Sequence, residues 1–321
     1  MTNLPKSFFK LHLRSVVILT LMLTSGLTGA DFKVETVSMD TGRMESFMLA
    51  EAEQLQQAAW ERINSAGKLE AERESLLKEF RFMIGLDPLP ERTDLQVTIV
   101  RTIELEDYTI EVIHYQSLPG FYVTADLYKP RGKNGRVPTV IWGPGHGGGT
   151  YGTKTSRQKH AALWARSGYI CIVVDPIQAA EVYGIHHGLS GYDLRDWYSR
   201  GYTPMGIEVW NAMRTVDYLL TRPDVDGSRL TITGVSGGGH LSWMAGAADP
   251  RINVVQPAAG TSDVPTHIRR NLQGMHCDCA YFVNTFRHDW FTLAALICPR
   301  PLLMHNSTGD AYYPPEGYLP I

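Results

Sequence analysis

The chain has 321 residues with 30 Lys and Arg against 33 Asp and Glu, a formal charge of -3, and 44% hydrophobic residues. A chain of this size buries a core without covalent staples, so its four cysteines do not make a disulfide scaffold. The weakly acidic balance excludes a basic stripe of the kind that tracks nucleic acid.

Residues 1–30 have the three-part form of an export leader. Lys6, Lys10 and Arg14 precede an apolar run from Val16 to Leu23, and the small residues Thr28-Gly29-Ala30 follow. The run is much shorter than the roughly 20 residues that span a bilayer. The expectation is therefore a secreted or periplasmic protein, cleaved after Ala30, with no stable membrane insertion. Losing the leader removes three positive charges and leaves a more acidic mature surface.

From 45 to 84 strong helix formers dominate, with Leu49, Leu55, Trp60 and Ile63 at helical spacing. Ser65-Ala66-Gly67 divides this stretch into two helices, and Pro88 and Pro90 end it. Runs rich in β-branched residues follow at 95–105, 108–116 and 121–128, and read as antiparallel strands. Beyond Pro138 strand and helix alternate, the mark of a parallel sheet covered on both faces. Strands are expected at 139–142, 169–174, 230–234, 252–255 and 301–305, and helices at 156–166, 207–220, 239–248 and 289–297. The arrangement is an α/β domain at 95–321 behind an N-terminal helical extension at 31–94.

Gly234-Val235-Ser236-Gly237-Gly238 lies where the strand 230–234 meets a helix. In such a turn the serine is strained and its Oγ stands above the sheet, while glycines two positions away avoid collisions with neighbouring backbone. Ser236 is the candidate nucleophile. A serine hydroxyl needs a base to take its proton, and the oxyanion it creates needs preorganised donors. The amide of Gly237 supplies one. Gly147 or Gly148, in His146-Gly147-Gly148-Gly149 after the strand 139–142, supplies the second. Asp310 follows the strand 301–305 and is the candidate acid, because a carboxylate at the carboxyl end of a parallel strand opens into the same crevice.

Hydrolases built on this turn carry serine, acid and histidine in that order. A further helix and strand need roughly 25 residues, and the residues after Asp310 fall short of that and hold no histidine. The reading is a C-terminally incomplete domain that stops before its catalytic histidine. The alternative is a displaced base among His146, His186, His187, His240, His276 and His288. His276-Cys277-Asp278-Cys279 is too tightly spaced for an ordinary zinc site, which leaves Cys277 or Cys279 to pair with Cys298 or to remain reduced.

These motifs resemble bacterial α/β-hydrolases of the acetylxylan esterase and dienelactone-hydrolase-like groups. The resemblance rests on Leu118-Pro119-Gly120-Phe121-Tyr122-Val123, Gly145-His146-Gly147-Gly148, the serine turn, and Ala295-Leu296-Ile297-Cys298-Pro299-Arg300-Pro301-Leu302-Leu303 ahead of Asp310. Ser236 departs from true dienelactone hydrolases, which use cysteine. The resemblance implies the α/β-hydrolase fold, ester hydrolysis through an acyl-enzyme on Ser236, no cofactor, and an esterified small molecule or polysaccharide as substrate. Trp197, Tyr198 and Tyr202 either stack on sugar rings or pack their loop against the sheet. Two other functions use the same fold: a prolyl-oligopeptidase-type serine peptidase, and a non-catalytic binding protein.

Overall fold

The computed structural model describes residues 41–146, 152–179, 181–182, 184, 195–272 and 282–321. Two helices open it, α1 (Thr41–Ile63) and α2 (Ala66–Met83). Ser65 separates them as an N-cap, its hydroxyl accepting from the Lys68 amide at 3.3 Å, which satisfies one of the amides a helix start leaves open.

Strands β1 (Thr98–Glu104), β2 (Tyr108–Leu118) and β3 (Phe121–Pro130) form an antiparallel meander. The turn from β2 to β3 is Pro119-Gly120, and Gly120 sits at φ +74°, where glycine carries no steric cost. Then come β4 (Val137–Gly143), α3 (Thr153–Ser156), α4 (Gln158–Arg166), β5 (Ile170–Val174), α5 (Asp196–Ser199) and α6 (Pro204–Thr221). The chain continues through β6 (Val225–Val235), α7 (Gly237–Ala248), β7 (Val254–Ala258), α8 (Val264–Arg269), α9 (Trp290–Ile297) and α10 (Pro315–Tyr318).

The sheet order is β1-β2-β3-β5-β4-β6-β7, antiparallel as far as β5 and parallel from β5 to β7. The stretch expected as a strand at 301–305 runs beside β7 as a hydrogen-bonded ribbon. Val255 donates to the Pro301 carbonyl at 3.0 Å and Ala259 to the His305 carbonyl at 2.7 Å. Alternation along the parallel strands divides the core. Val140, Cys171 and Val173 meet Ala161 and Ala165 of α4. Ile141, Ile172 and Ile232 share the larger core with Val209 and Met213 of α6, Trp243 of α7, and Phe80 of α2. Trp210 and Trp243 are fully buried, and truncating either costs on the order of 3–5 kcal/mol. Cys298 is exposed and unbridged, so the expected pairing alternative is not formed; Cys277 and Cys279 lie outside the described residues. Among the described residues no helix is long and apolar enough to cross a membrane.

The start of α6 is fixed by Thr203. Its hydroxyl accepts from the Gly206 amide at 2.9 Å and donates to the Ile84 carbonyl at 2.9 Å. A Cβ on Gly206 would stand 1.9 Å from that carbonyl oxygen, so glycine is what lets the end of α2 reach α6.

A buried carboxylate fastens α1 to α8 and α9. Asp289 caps α9 through the Trp290 amide at 2.6 Å, and Gln56 of α1 donates to both Asp289 and Asp263 at 3.2 Å. Burial lifts the Asp289 carboxyl from 3.8 to about 6. The folded state therefore holds this proton more tightly than the unfolded state. The group's stabilisation is present in full below pH 3.8 and is lost as pH rises through about 6, a change of roughly 3 kcal/mol. Asp289→Asn keeps an acceptor for the Trp290 amide and cannot ionise. Its melting temperature is expected to match the parent's near the acid end and to exceed it by several degrees at neutral pH. Parallel melting curves across that range, measured by circular dichroism, contradict this.

Candidate active site

Ser236 ends β6 and begins α7 at φ +59° and ψ -117°. This is a backbone region that costs a non-glycine residue of order 1–3 kcal/mol and persists only where surrounding structure enforces it. The enforcement is visible. The Ser236 amide donates to the Ala258 carbonyl of β7 at 3.0 Å, and the Ser236 carbonyl accepts from the His240 amide at 3.0 Å. The residue is exposed while Gly237 and Gly238 beneath it are buried. The serine is thus presented at the carboxyl edge of the parallel strands, with the N-terminus of α7 directly behind it. That helix end puts the Gly237 amide and the positive end of the helix dipole beside Ser236, the position expected of an oxyanion donor.

The turn after β4 presses against this elbow. A Cβ on Gly238 would meet the Gly143 carbonyl oxygen at 1.8 Å, one on Gly234 would meet it at 2.2 Å, and one on Gly145 would meet the Val235 carbonyl oxygen at 2.7 Å. Three glycines therefore let the backbones of β4, β6 and α7 come into direct contact. Gly147 and Gly148, the other expected oxyanion donors, lie outside the described residues.

His146, the last described residue of this turn, bonds through Nε2 to Oε1 of Glu208 at 2.8 Å, and both side chains are nearly inaccessible to solvent. Glu208 lies on the buried face of α6, so the long helix holds the end of the turn that follows β4. Sequence reasoning did not find Glu208. The one signal was an acidic residue at a core-facing position, between Ile207 and Val209. A second buried pair borders the same turn: Asp175, just past β5, accepts from Lys154 Nζ at 2.9 Å. Burial opposes the charge on Lys154, but bonds to Glu181 and Asp175 outweigh it and hold the ammonium above its ordinary range.

Asp310 lies in the loop after the 301–305 ribbon. Its Oδ1 accepts from the Tyr312 amide at 2.8 Å and the Tyr313 amide at 3.2 Å, and the carboxylate is half-buried. The Tyr313 ring stands edge-on to His240 of α7, with centroids 5.6 Å apart, so the acid's loop is docked on the elbow helix. Among the described residues no histidine ring bonds to the side chain of Ser236 or Asp310. Of the candidates for a displaced base, His240 is fully buried against Trp290 and Tyr313, His146 faces Glu208, and His288 bonds Glu79 of α2 at 2.8 Å. His186, His187 and His276 lie outside the described residues.

Trp197 and Tyr202 line one hollow at this rim, together with Leu118 and Phe121 of the β2–β3 turn. Trp197 also packs on Ile177, Val182 and Ile207, which is the packing role the sequence left open, while it also lines the hollow. Tyr198 is half-buried and does not line the hollow.

Comparison with known proteins places this geometry in context. A family model described as X-Pro dipeptidyl-peptidase (S15 family) matches residues 120–285, just over half of the chain and including Ser236. YtaP of Bacillus subtilis, whose name assigns it to the hydrolases, is 25% identical over 249 residues, spanning 72% of this chain and 80% of its own. The acetyl esterase Axe7A of Xylanibacter ruminicola is 28% identical over 142 residues, 39% of this chain and 30% of its own. Among solved structures, a Bacteroides fragilis protein whose name assigns it to the acetyl xylan esterases superposes with a TM-score of 0.65 at 17% identity. It covers 79% of this chain and 73% of its own, and the likeness is one of fold.

Proposed function

The chain belongs to the X-Pro dipeptidyl-peptidase (S15) family, and we propose that it is a serine hydrolase of carboxylic esters carried on carbohydrate, acting through an acyl-enzyme on Ser236. The observation that carries this reading is the exposed, positive-φ serine between a parallel strand and a helix, over buried glycines that let the backbones of β4, β6 and α7 meet beneath it. In the proposed cycle Oγ of Ser236 attacks the ester carbonyl carbon while a base accepts its proton. The amide of Gly237, with Gly147 or Gly148, stabilises the oxyanion. Collapse expels the alcohol, which takes up that proton, and water then releases the acid by the same path. Asp310 orients the base and stabilises its cationic form.

Asp310→Asn is expected to lower kcat on p-nitrophenyl acetate by about 10²–10⁴-fold with KM little changed, since an acid of this kind acts on the transition state. Unaltered kcat removes Asp310 from the site.

Support for an ester comes from the acetyl esterase relative and from the fold shared with the acetyl xylan esterase. Residues 1–30 are proposed as an export leader, 31–94 as a helical extension and 95–321 as the hydrolase domain. Export suits a polymeric substrate outside the cell. The family's description favours a second reading, peptidase action behind an N-terminal Xaa-Pro pair. Side-by-side assay of p-nitrophenyl acetate and Ala-Pro-p-nitroanilide decides between them. The ester reading expects turnover of the first alone, and efficient cleavage of the anilide overturns it.

A further inference from the structure

The chemistry proposed above sits at the carboxyl ends of β4 and β6, but a second feature lies farther along the same rim. It is a hollow of about 750 Å³, within the usual range for small-ligand sites. Leu118 and Phe121 place it at the β2–β3 turn. Since β3 is antiparallel to β5, with Ala125 opposite Val174, the start of β3 lies at the edge where β5 ends. Strands β5 and β4 stand between β3 and β6. Three strand spacings at about 4.8 Å put the hollow roughly 14 Å from the nucleophile.

Its lining is chemically mixed in a particular way. Trp197 is half-buried, with its underside on an apolar cluster, and Tyr202 is 40% exposed. Asp196, at the start of α5, and Arg200, just past its end, line the same hollow as the two rings. Both are exposed, and neither side chain has an ion pair or hydrogen bond within the described residues. Aromatic faces offer flat apolar contact with little entropy to lose. A carboxylate accepts only and a guanidinium donates only, so together they serve both halves of a hydroxyl group's bonding. A purely apolar ligand makes no use of either charge. An anionic ligand meets Asp196, and a cationic one meets Arg200. A neutral ring with an apolar face and hydroxyls at its edge satisfies all four side chains.

We propose that this hollow is a subsite for neutral pyranosides, which holds a glycan chain a few rings away from the ester presented to Ser236. The binding of sugar stands on the hollow alone; its link to the ester rests on the esterase reading.

The test is calorimetric titration of the full chain carrying Ser236→Ala with xylohexaose, mannohexaose and cellohexaose, and with hexagalacturonate as an acidic counterpart. Arg200→Ala and Tyr202→Ala are added to that background. Both positions are exposed, so the fold is expected to survive, and thermal unfolding checks it; Trp197 is avoided because it also packs the cluster. The expected result is that at least one neutral hexamer binds and that each added substitution weakens it about ten-fold, the loss of one modest contact. In the catalytically competent chain, the same substitutions are expected to lower the ratio of kcat/KM on acetylated oligosaccharide to that on p-nitrophenyl acetate by a similar factor. No neutral binding, affinity unchanged by either substitution, or binding of hexagalacturonate alone overturns the proposal. Neutral binding lost in the variants, with no ester cleaved by the parent chain, supports the subsite and removes the esterase reading instead.

Discussion

Ser236→Ala is expected to remove ester hydrolysis, lowering kcat/KM on p-nitrophenyl acetate by at least about 10³-fold, while the melting temperature stays within a degree or two of the parent. The two halves of this expectation have separate physical grounds. Activity falls because no other group on the elbow can form the acyl-enzyme, and the oxyanion donors alone leave only a remnant of catalysis. Stability holds because the Ser236 hydroxyl is exposed and has no hydrogen bond to lose among the described residues, and alanine at φ +59° carries the same backbone strain as serine. Ser236→Gly extends the argument. It is equally inactive, but it relieves the left-handed conformation and is expected to gain roughly 1 kcal/mol. Loss of activity accompanied by unfolding contradicts the proposed division of roles.

Gly238→Ala is expected to damage both fold and activity. A Cβ there stands 1.8 Å from the Gly143 carbonyl oxygen and 2.5 Å from its carbon. Those atoms are backbone, so no rotamer change relieves the clash. Either β4 must withdraw from the elbow or α7 must tilt away from the sheet. Each carries the Gly145 turn with it, because Gly145 rests on the Val235 carbonyl. Overpacking against backbone is expected to cost about 3 kcal/mol or more, a fall of roughly 6–12 °C in melting temperature. Misplacing the donors relative to Ser236 by about 1 Å costs a further ~10²-fold in kcat. Gly67→Ala is the contrasting case. Nothing lies within 4 Å of its Cβ, it sits inside α2, and alanine there is expected to be neutral or to gain up to about 1 kcal/mol. Equal melting temperatures for the two variants contradict the close-contact account of the elbow.

The features most legible in the sequence were those fixed by local sterics. Glycines at 234 and 238 around Ser236 are required by the contact with β4, so the elbow was readable from five residues and their neighbours. Ser65 divided the first two helices because an N-cap is a local event. Element ends were read less well where the signal is a polar contact. The helix expected from 207 begins at Pro204, and the cap that sets it, Thr203, stood immediately before that proline. Strand β6 begins at Val225 rather than 230, because its first residues, Asp226 to Arg229, are polar and partly or fully exposed and carry no apolar alternation. The short helix α8 was missed altogether, although Asp263 accepts from the Thr266 amide at 2.9 Å and caps it. The Glu208–His146 bond was not readable, since it joins residues 62 positions apart that only the folded sheet brings together. The expectations for Gly147, Gly148, His186, His187 and His276 fall outside the described residues.

The most direct test of the central claim, that Ser236 is the nucleophile, is reaction of the chain with diethyl p-nitrophenyl phosphate followed by peptide mass mapping. The account predicts release of p-nitrophenol in step with a diethylphosphoryl adduct on the peptide that contains Ser236, loss of p-nitrophenyl acetate turnover as the adduct forms, and neither event in Ser236→Ala. An adduct on another residue, or ester turnover that persists in Ser236→Ala, contradicts it.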